Sequence, residues 1–539
     1  MSVSVAARPG RHEAPPAGSP WSGTGALLRL ALRRDRVRLS VWVGVLTLMM
    51  AYAPNAIRLA YPSEEQRLTR VNLLKTPAGM MLGGPMFGGD EADLGAMMAN
   101  ELMLTMIVAA SIMAVMTVIR HTRAEEESGT AELVLASVVG RHARTAAALI
   151  LVGAVLAVLT VTMTTAMAAT GFAVRDTAAM CLGITAVAAV FGAVAVVTAQ
   201  LWRQSRTATG AALGVLAAAA LIRGTGDVID HSGSALSWFS PIAWAQQMRA
   251  FVDVRWWPLA LLVVLSGALI AAAFALEARR QYDAGTIPSS GEHPDAHRIA
   301  GPLGLHMTLQ RGQTIGWSVG LLIAGTAFGS MSSSLQDAAR GNELLARVLA
   351  AQGPDGVHTT MTQFLAAAAT AYVVSAVGRV YADERAGLGE TVLAGAVSRW
   401  RWLLTAVLAA VLGSAVLMFC AGLGNGLGAA LTTGEPVLVP RLLVAGLAFV
   451  PALAVVAAVA ALAVAVRAPV IGWLAVTFTV GALYLGALLR LPQWLIDLSP
   501  VGRTKAPSEY SVVALLAMAV VATALAAAAC VVYRNRDAA

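Results

Sequence analysis

Long apolar runs and short polar breaks alternate along the 539-residue chain. About twelve runs reach the roughly 20 residues with which a helix crosses a bilayer core about 30 Å thick. The strict apolar–polar alternation of a membrane barrel is absent, so the pattern predicts helices. Six runs lie at about 40–60, 102–119, 146–170, 177–201, 207–222 and 258–276, and six more at about 313–334, 361–378, 402–425, 438–465, 470–488 and 511–533. The expected fold class is an all-α polytopic membrane protein of about 12 transmembrane helices.

The breaks divide the chain. Residues 1–24, rich in Pro, Gly and Ala, are expected to form a disordered cytoplasmic tail, because they lack the apolar core of a cleavable signal peptide. From Leu27 to Leu39, arginines interleave with leucines, which fits either an amphipathic helix on the inner leaflet or a plain basic flank. Residues 25–284 then make a first six-span half and 301–539 a second. Between them, 285–300 is a cytoplasmic linker marked by Pro288, Ser289, Ser290, Gly291 and Pro294.

The halves share a motif. Aligned without a gap, Glu125–Arg141 and Asp383–Arg399 are identical at 8 of 17 positions: Glu126/Glu384, Gly129/Gly387, Glu132/Glu390, Val134/Val392, Leu135/Leu393, Ala136/Ala394, Val139/Val397 and Arg141/Arg399. Ser240-Pro241 precedes the sixth span much as Ser499-Pro500 precedes the twelfth, and Y-R-N-R-D at the end echoes R-R-Q-Y-D after the sixth span. Six spans per half keep the copies in one orientation, so the repeats are parallel.

Composition supports the membrane reading and sets its orientation. The chain is 58% hydrophobic and 13% charged, with mean hydropathy +0.70, whereas soluble domains approach a quarter charged. With the amino terminus inside, 24 of the 38 Lys and Arg fall on the cytoplasmic side, as the positive-inside rule requires. Both termini and both motif copies then face the cytoplasm. Lys75 and Lys505 are the two lysines among the 38, an arginine bias that suggests a high-GC bacterial genome and hence a bacterial plasma membrane. Cys181, Cys420 and Cys530 lie in separate apolar runs without C-x-x-C spacing and read as core residues.

Each motif copy follows the second span of its half. Glu125 to Glu127 are too costly to bury in the bilayer and are expected to stay wet. Gly129 permits a sharp turn, and the stretch after it is short and apolar enough for a helix along the membrane surface, ended by Gly140 or Ser398 with Arg141 or Arg399 behind. Such an element is a docking knob or an ordinary interfacial loop. Four methionines, Met103, Met106, Met113 and Met116, share one helical face and either line a path for hydrophobic substrates or pack.

Other chemistry is excluded or weak. Neither Lys75, after leucine, nor Lys505, after threonine, follows the glycine of a phosphate-binding loop, so an ATPase site is not expected here. The central portions of the spans carry no charges; Arg441 and Asp176 lie near ends, which argues against an ion relay. The Gly-rich stretch Met81–Glu91 reads as an outer turn, and His293 and His297 as solvated linker residues.

The acidic run, Gly, Glu, apolar stretch and Arg after the second span resemble the permease subunits of type-2 ABC exporters. The duplicated twelve-span chain resembles the actinobacterial permeases for polyketide antibiotics. The resemblance implies that Glu125, Glu126, Gly129, Glu132 and Arg141, with Asp383, Glu384, Gly387, Glu390 and Arg399, belong to coupling helices gripping two copies of a cytoplasmic ABC ATPase. It also implies a hydrophobic or amphipathic exported compound, no cofactor or metal in this chain, ATP and Mg on the partner, and no nucleic acid. The rival readings are an ion-coupled transporter of the major-facilitator type and a non-transporting scaffold or immunity protein.

Overall fold

In the computed structural model the described residues are 19–75, 77–88, 93–129, 139–230, 232–280, 286, 301–332, 356–389, 394–395, 397–485, 492–504 and 512–536. Met1–Arg67 with Met80–Ser290 form one compact unit, and Leu68–Gly79 with Gly291–Ala539 a second. No strand occurs among the described residues.

The long helices of the first unit are α1 (Thr24–Ala60), α2 (Leu94–His121), α3 (Ala143–Ala168), α4 (Val174–Leu201), α5 (Ser205–Ile229) and α6 (Trp257–Arg279). Those of the second are α7 (Gly301–Ser330), α8 (Gly356–Arg385), α9 (Arg399–Thr433), α10 (Leu438–Ala465), α11 (Val470–Leu485) and α12 (Val512–Arg534). Among the described residues, ten helices are long and apolar enough to cross a membrane by length and composition. The other two, α7 and α11, stand at the places of the seventh and eleventh expected spans. Gln310, Arg311 and Gln313 make α7 more polar, and α11 has 16 residues.

The repeat is visible in the packing. In the first unit α1 packs on α3, α2 on α4, and α4 on α6; in the second α7 packs on α9, α8 on α10, and α10 on α12. The Ser-Pro echo is a pair of helix starts. Ser240 accepts from the Ile242 amide at 3.3 Å ahead of the short helix Pro241–Gln246, and Ser499 from the Gly502 amide at 3.5 Å ahead of Pro500–Arg503. A capping hydroxyl followed by proline at the first helical position suits both.

Leu27–Leu39, open to reading as a surface helix or as a basic flank, is the opening of α1, which runs unbroken for 37 residues, about 55 Å. Nothing in R-L-A-L-R-R-D-R-V-R-L breaks a helix, and Asp35 is drawn into the unit by Arg120, 3.1 Å away, and His121, 2.8 Å away. Toward the other end of the chain, α10 is interrupted at Ala448–Phe449, just before Pro451.

In the second unit, α7 and α9 meet through glycine. A Cβ added at Gly329 would lie 2.0 Å from the Asn425 carbonyl oxygen, and one at Gly428 2.1 Å from that of Thr326. Small residues four apart let backbones touch where lipid leaves no hydrophobic drive for helix association. Outward, α1 exposes Val41, Val45 and Leu48, α6 exposes Val263 and Val264, and α12 exposes Val513, Leu516 and Val520. These faces require lipid, and the chain is a multi-pass membrane protein.

Candidate functional site

The first motif copy begins in a short helix, Arg123–Glu127, directly after α2. The carboxylate of Glu126 does not stay wet as expected: its side chain is 2% exposed. It is enclosed by three guanidinium groups. Arg280, beyond the end of α6, donates to both oxygens, at 2.7 Å from Nη2 to Oε1 and 2.9 Å from Nη1 to Oε2. Arg123 and Arg144 complete the ring, on Oε2 and Oε1 respectively. Arg123 also donates from Nε to the Arg203 carbonyl, 2.5 Å away, which ties in the break between α4 and α5. A carboxylate can be buried here because cations replace its water.

The second copy repeats the arrangement with fewer charges. Arg536, past the end of α12, donates to Glu384 Oε2 at 2.6 Å, and the Tyr533 hydroxyl donates to Glu384 Oε1. The Glu384 side chain is 19% exposed.

The duplicated arginines close the same junction from the other side. Arg141 donates to the carbonyls of Glu277, at 2.5 Å, and Arg280, at 3.0 Å; Arg399 donates to the carbonyl of Arg536, at 2.6 Å. Those carbonyls lie where a helix end leaves acceptors unsatisfied, so a cation there answers both the hydrogen bonds and the dipole. Glu277, 5% exposed, is held by Thr145 at 2.6 Å and by His142 at 2.8 Å. In each half, then, the motif's Glu and Arg clasp the residues that end the sixth helix.

The other motif positions divide between turn and surface. Gly129 and Gly387 both take left-handed backbone, φ 71° and 73°, with open space around the Cβ position. Glu125 meets Arg34 at 3.2 Å and His121 at 3.4 Å, Glu127 is exposed and accepts from the Ser205 amide at 3.0 Å, and Asp383 faces Arg379 at 3.7 Å. Glu132 and Glu390 lie outside the described residues, as do Thr130 to Val138 and most of the matching apolar stretch. Ser398 precedes α9 as its N-terminal cap residue.

The methionine stripe divides. Met103, Met106 and Met113 are at most 3% exposed, whereas Met116 is 41% exposed, so the four do not share one lining. The cleft beside Met103 has a volume of about 20 Å³, room for about one water molecule.

One charged pair escaped the sequence reading because the fifth span was ended at 222. Helix α5 continues to Ile229 and buries Arg223 and Asp227, paired at 3.3 Å with side chains 1% exposed. Arg223 also donates to the carbonyls of Met80, at 3.2 Å, and Met81, at 2.6 Å, while Asp227 accepts from the Ser237 hydroxyl at 2.6 Å. The i,i+4 spacing of R-x-x-x-D is the signal that could have found it. The pair ties the end of α5 to the Met80–Met81 carbonyls, more than 140 residues away, and to Ser237.

The family described as "Multidrug efflux system permease Rv1217c, C-terminal domain" matches residues 26–276 and 299–534. A curated relative, the multidrug efflux system permease protein Rv1217c of Mycobacterium tuberculosis, is 34% identical over 555 residues, covering 98% of both chains.

Proposed function

The chain belongs to the multidrug efflux permease family, and on that premise we propose that it is the membrane subunit of an ATP-driven exporter of hydrophobic or amphipathic compounds. The motor is a separate cytoplasmic ATPase, two copies of which engage the elements after α2 and α8. ATP and Mg belong to those partners.

The observation that carries this reading is the paired clasp, Glu126 with Arg280 and Glu384 with Arg536. An ordinary interfacial loop has no need to be fastened to the end of a helix more than a hundred residues away, in both halves, by equivalent residues. In the proposed mechanism Glu126 and Glu384, engaged by Arg280 and Arg536, do not grip the ATPase directly, and Glu132 and Glu390 are left to do so. The clasp makes each docking element and the end of the sixth helix of its half one rigid piece, so that closure of an ATPase dimer displaces both sixth helices and switches access to the transport route.

Co-reconstitution of the chain with candidate ATPases in vesicles tests the reading. Glu132→Lys combined with Glu390→Lys is expected to abolish the stable complex and ATP-dependent substrate movement. An undiminished complex and undiminished transport would sink it, as would transport that collapses with the proton gradient and persists without ATP.

A further inference from the structure

Helices α9, α10 and α12 leave a cleft of about 770 Å³ between them. Its walls are apolar along Leu404, Val407, Val411 and Pro451 and lined with small residues on α12, from Ala519 to Ala527. One end carries Trp400 and Arg534, both exposed to solvent or headgroups. The wall on α9 runs from Trp400 to Val411, which at 1.5 Å per residue is about 16 Å. Half of a bilayer core is about 15 Å. The cleft therefore has the depth of one leaflet, with an indole and a guanidinium where that leaflet's headgroups lie.

The corresponding corner of the first unit is filled by the protein itself. Trp21 packs at 5.3 Å from His142, the motif-aligned counterpart of Trp400, and at 5.1 Å from Phe274 on α6, and these rings close the corner. The Gly140 and His142 amides fasten the segment in place by donating to the carbonyls of Ser22, at 2.8 Å, and Pro20, at 2.9 Å. Among the described residues no ring packs over Trp400 in this way, and Arg534 has no ion pair.

We propose that this cleft is a binding site for an anionic diacyl phospholipid, with one acyl chain along α9 and α12 and the phosphate on Arg534. Depth, apolar walls and the cation at the mouth select together. A zwitterionic lipid gains less from Arg534 because its own cation offsets the phosphate, a polar anion gains nothing from the apolar walls, and a short amphiphile leaves the inner end empty.

Native mass spectrometry of the detergent-purified chain, titrated separately with phosphatidylglycerol and phosphatidylcholine, tests this. The wild type is expected to retain phosphatidylglycerol about fivefold more tightly than phosphatidylcholine, the gain of one arginine beside an anionic headgroup. Arg534→Gln is expected to erase that preference. Thr523→Trp, which fills the cleft from an exposed wall position, is expected to lower retention of both lipids, while Val264→Trp on the outer face of α6 changes neither. Equal retention of the two lipids by the wild type overturns the proposal. So does undiminished phosphatidylglycerol binding by Thr523→Trp chains that keep the wild-type elution volume.

Discussion

Glu126 and Arg280, 154 residues apart, form a two-pronged ion pair inside one half of the protein, and Glu384 and Arg536, 152 residues apart, form its counterpart in the other. The two are unequal. The first carboxylate is enclosed by three arginines and nearly inaccessible; the second has one arginine and one tyrosine and is about a fifth exposed.

Removing the two carboxylates should have different consequences. Glu126→Ala leaves buried guanidinium groups without their anion and is expected to cost about 3–5 kcal/mol. Glu384→Ala, at a wetter site, is expected to cost about 1 kcal/mol. Thermal unfolding of the purified variants reads the difference as a much larger fall in Tm for the first. Equal falls would show that the extra arginines contribute nothing.

The clasp should matter to coupling beyond its effect on stability. Gly129→Ala and Gly387→Ala place a side chain on left-handed backbone at a cost of about 1–2 kcal/mol, with no steric neighbour to clash. Both variants are expected to remain folded while ATP-dependent transport falls severalfold, because the docking element leaves the turn at a different angle. Transport assayed at matched protein amounts checks this.

The glycine seam between α7 and α9 should tolerate no side chain. Gly329→Val and Gly428→Val would drive the new Cβ into a facing carbonyl and are expected to abolish folded protein, seen as loss of the monodisperse peak in size-exclusion chromatography. Gly320→Val, on the same helix with open space at its Cβ position, is the control and is expected to elute as the wild type.

The buried pair on α5 should behave as a unit. Arg223→Leu alone strands Asp227 and is expected to destabilise by about 3–5 kcal/mol, whereas Arg223→Leu with Asp227→Leu recovers much of the loss. Tm measurements on the two singles and the double give the coupling directly. If the double variant transports, the pair is not a charge relay.

The helical architecture was legible because ten of the described helices are long and apolar, and the duplication because Glu126, Gly129 and Arg141 recur at a constant offset. What those residues touch was not legible. Glu126 looked too costly to bury because its cations, Arg144 and Arg280, stand in other segments, and a linear reading counts the cost of burial without the compensation. Met116 was grouped with Met103, although at 100° per residue it lies about 140° round α2 from it, on the exposed side with Thr105. The opening of α1 stayed undecided between a surface helix and a basic flank because its arginines fit both, and Asp35 among them, paired with Arg120 and His121, was the sign of a buried contact. Arg223 and Asp227 were lost to a span boundary drawn a few residues early.

The clasp also bears on how the protein is made. Every residue in the first clasp, from Arg123 through Arg144 to Arg280, lies within one half, so the ribosome has delivered the complete set before the second half begins. Chains fold by domains as they are synthesised. The first half can thus close its own junction and serve as a finished neighbour for helices still to come, whereas the second must wait for Arg536.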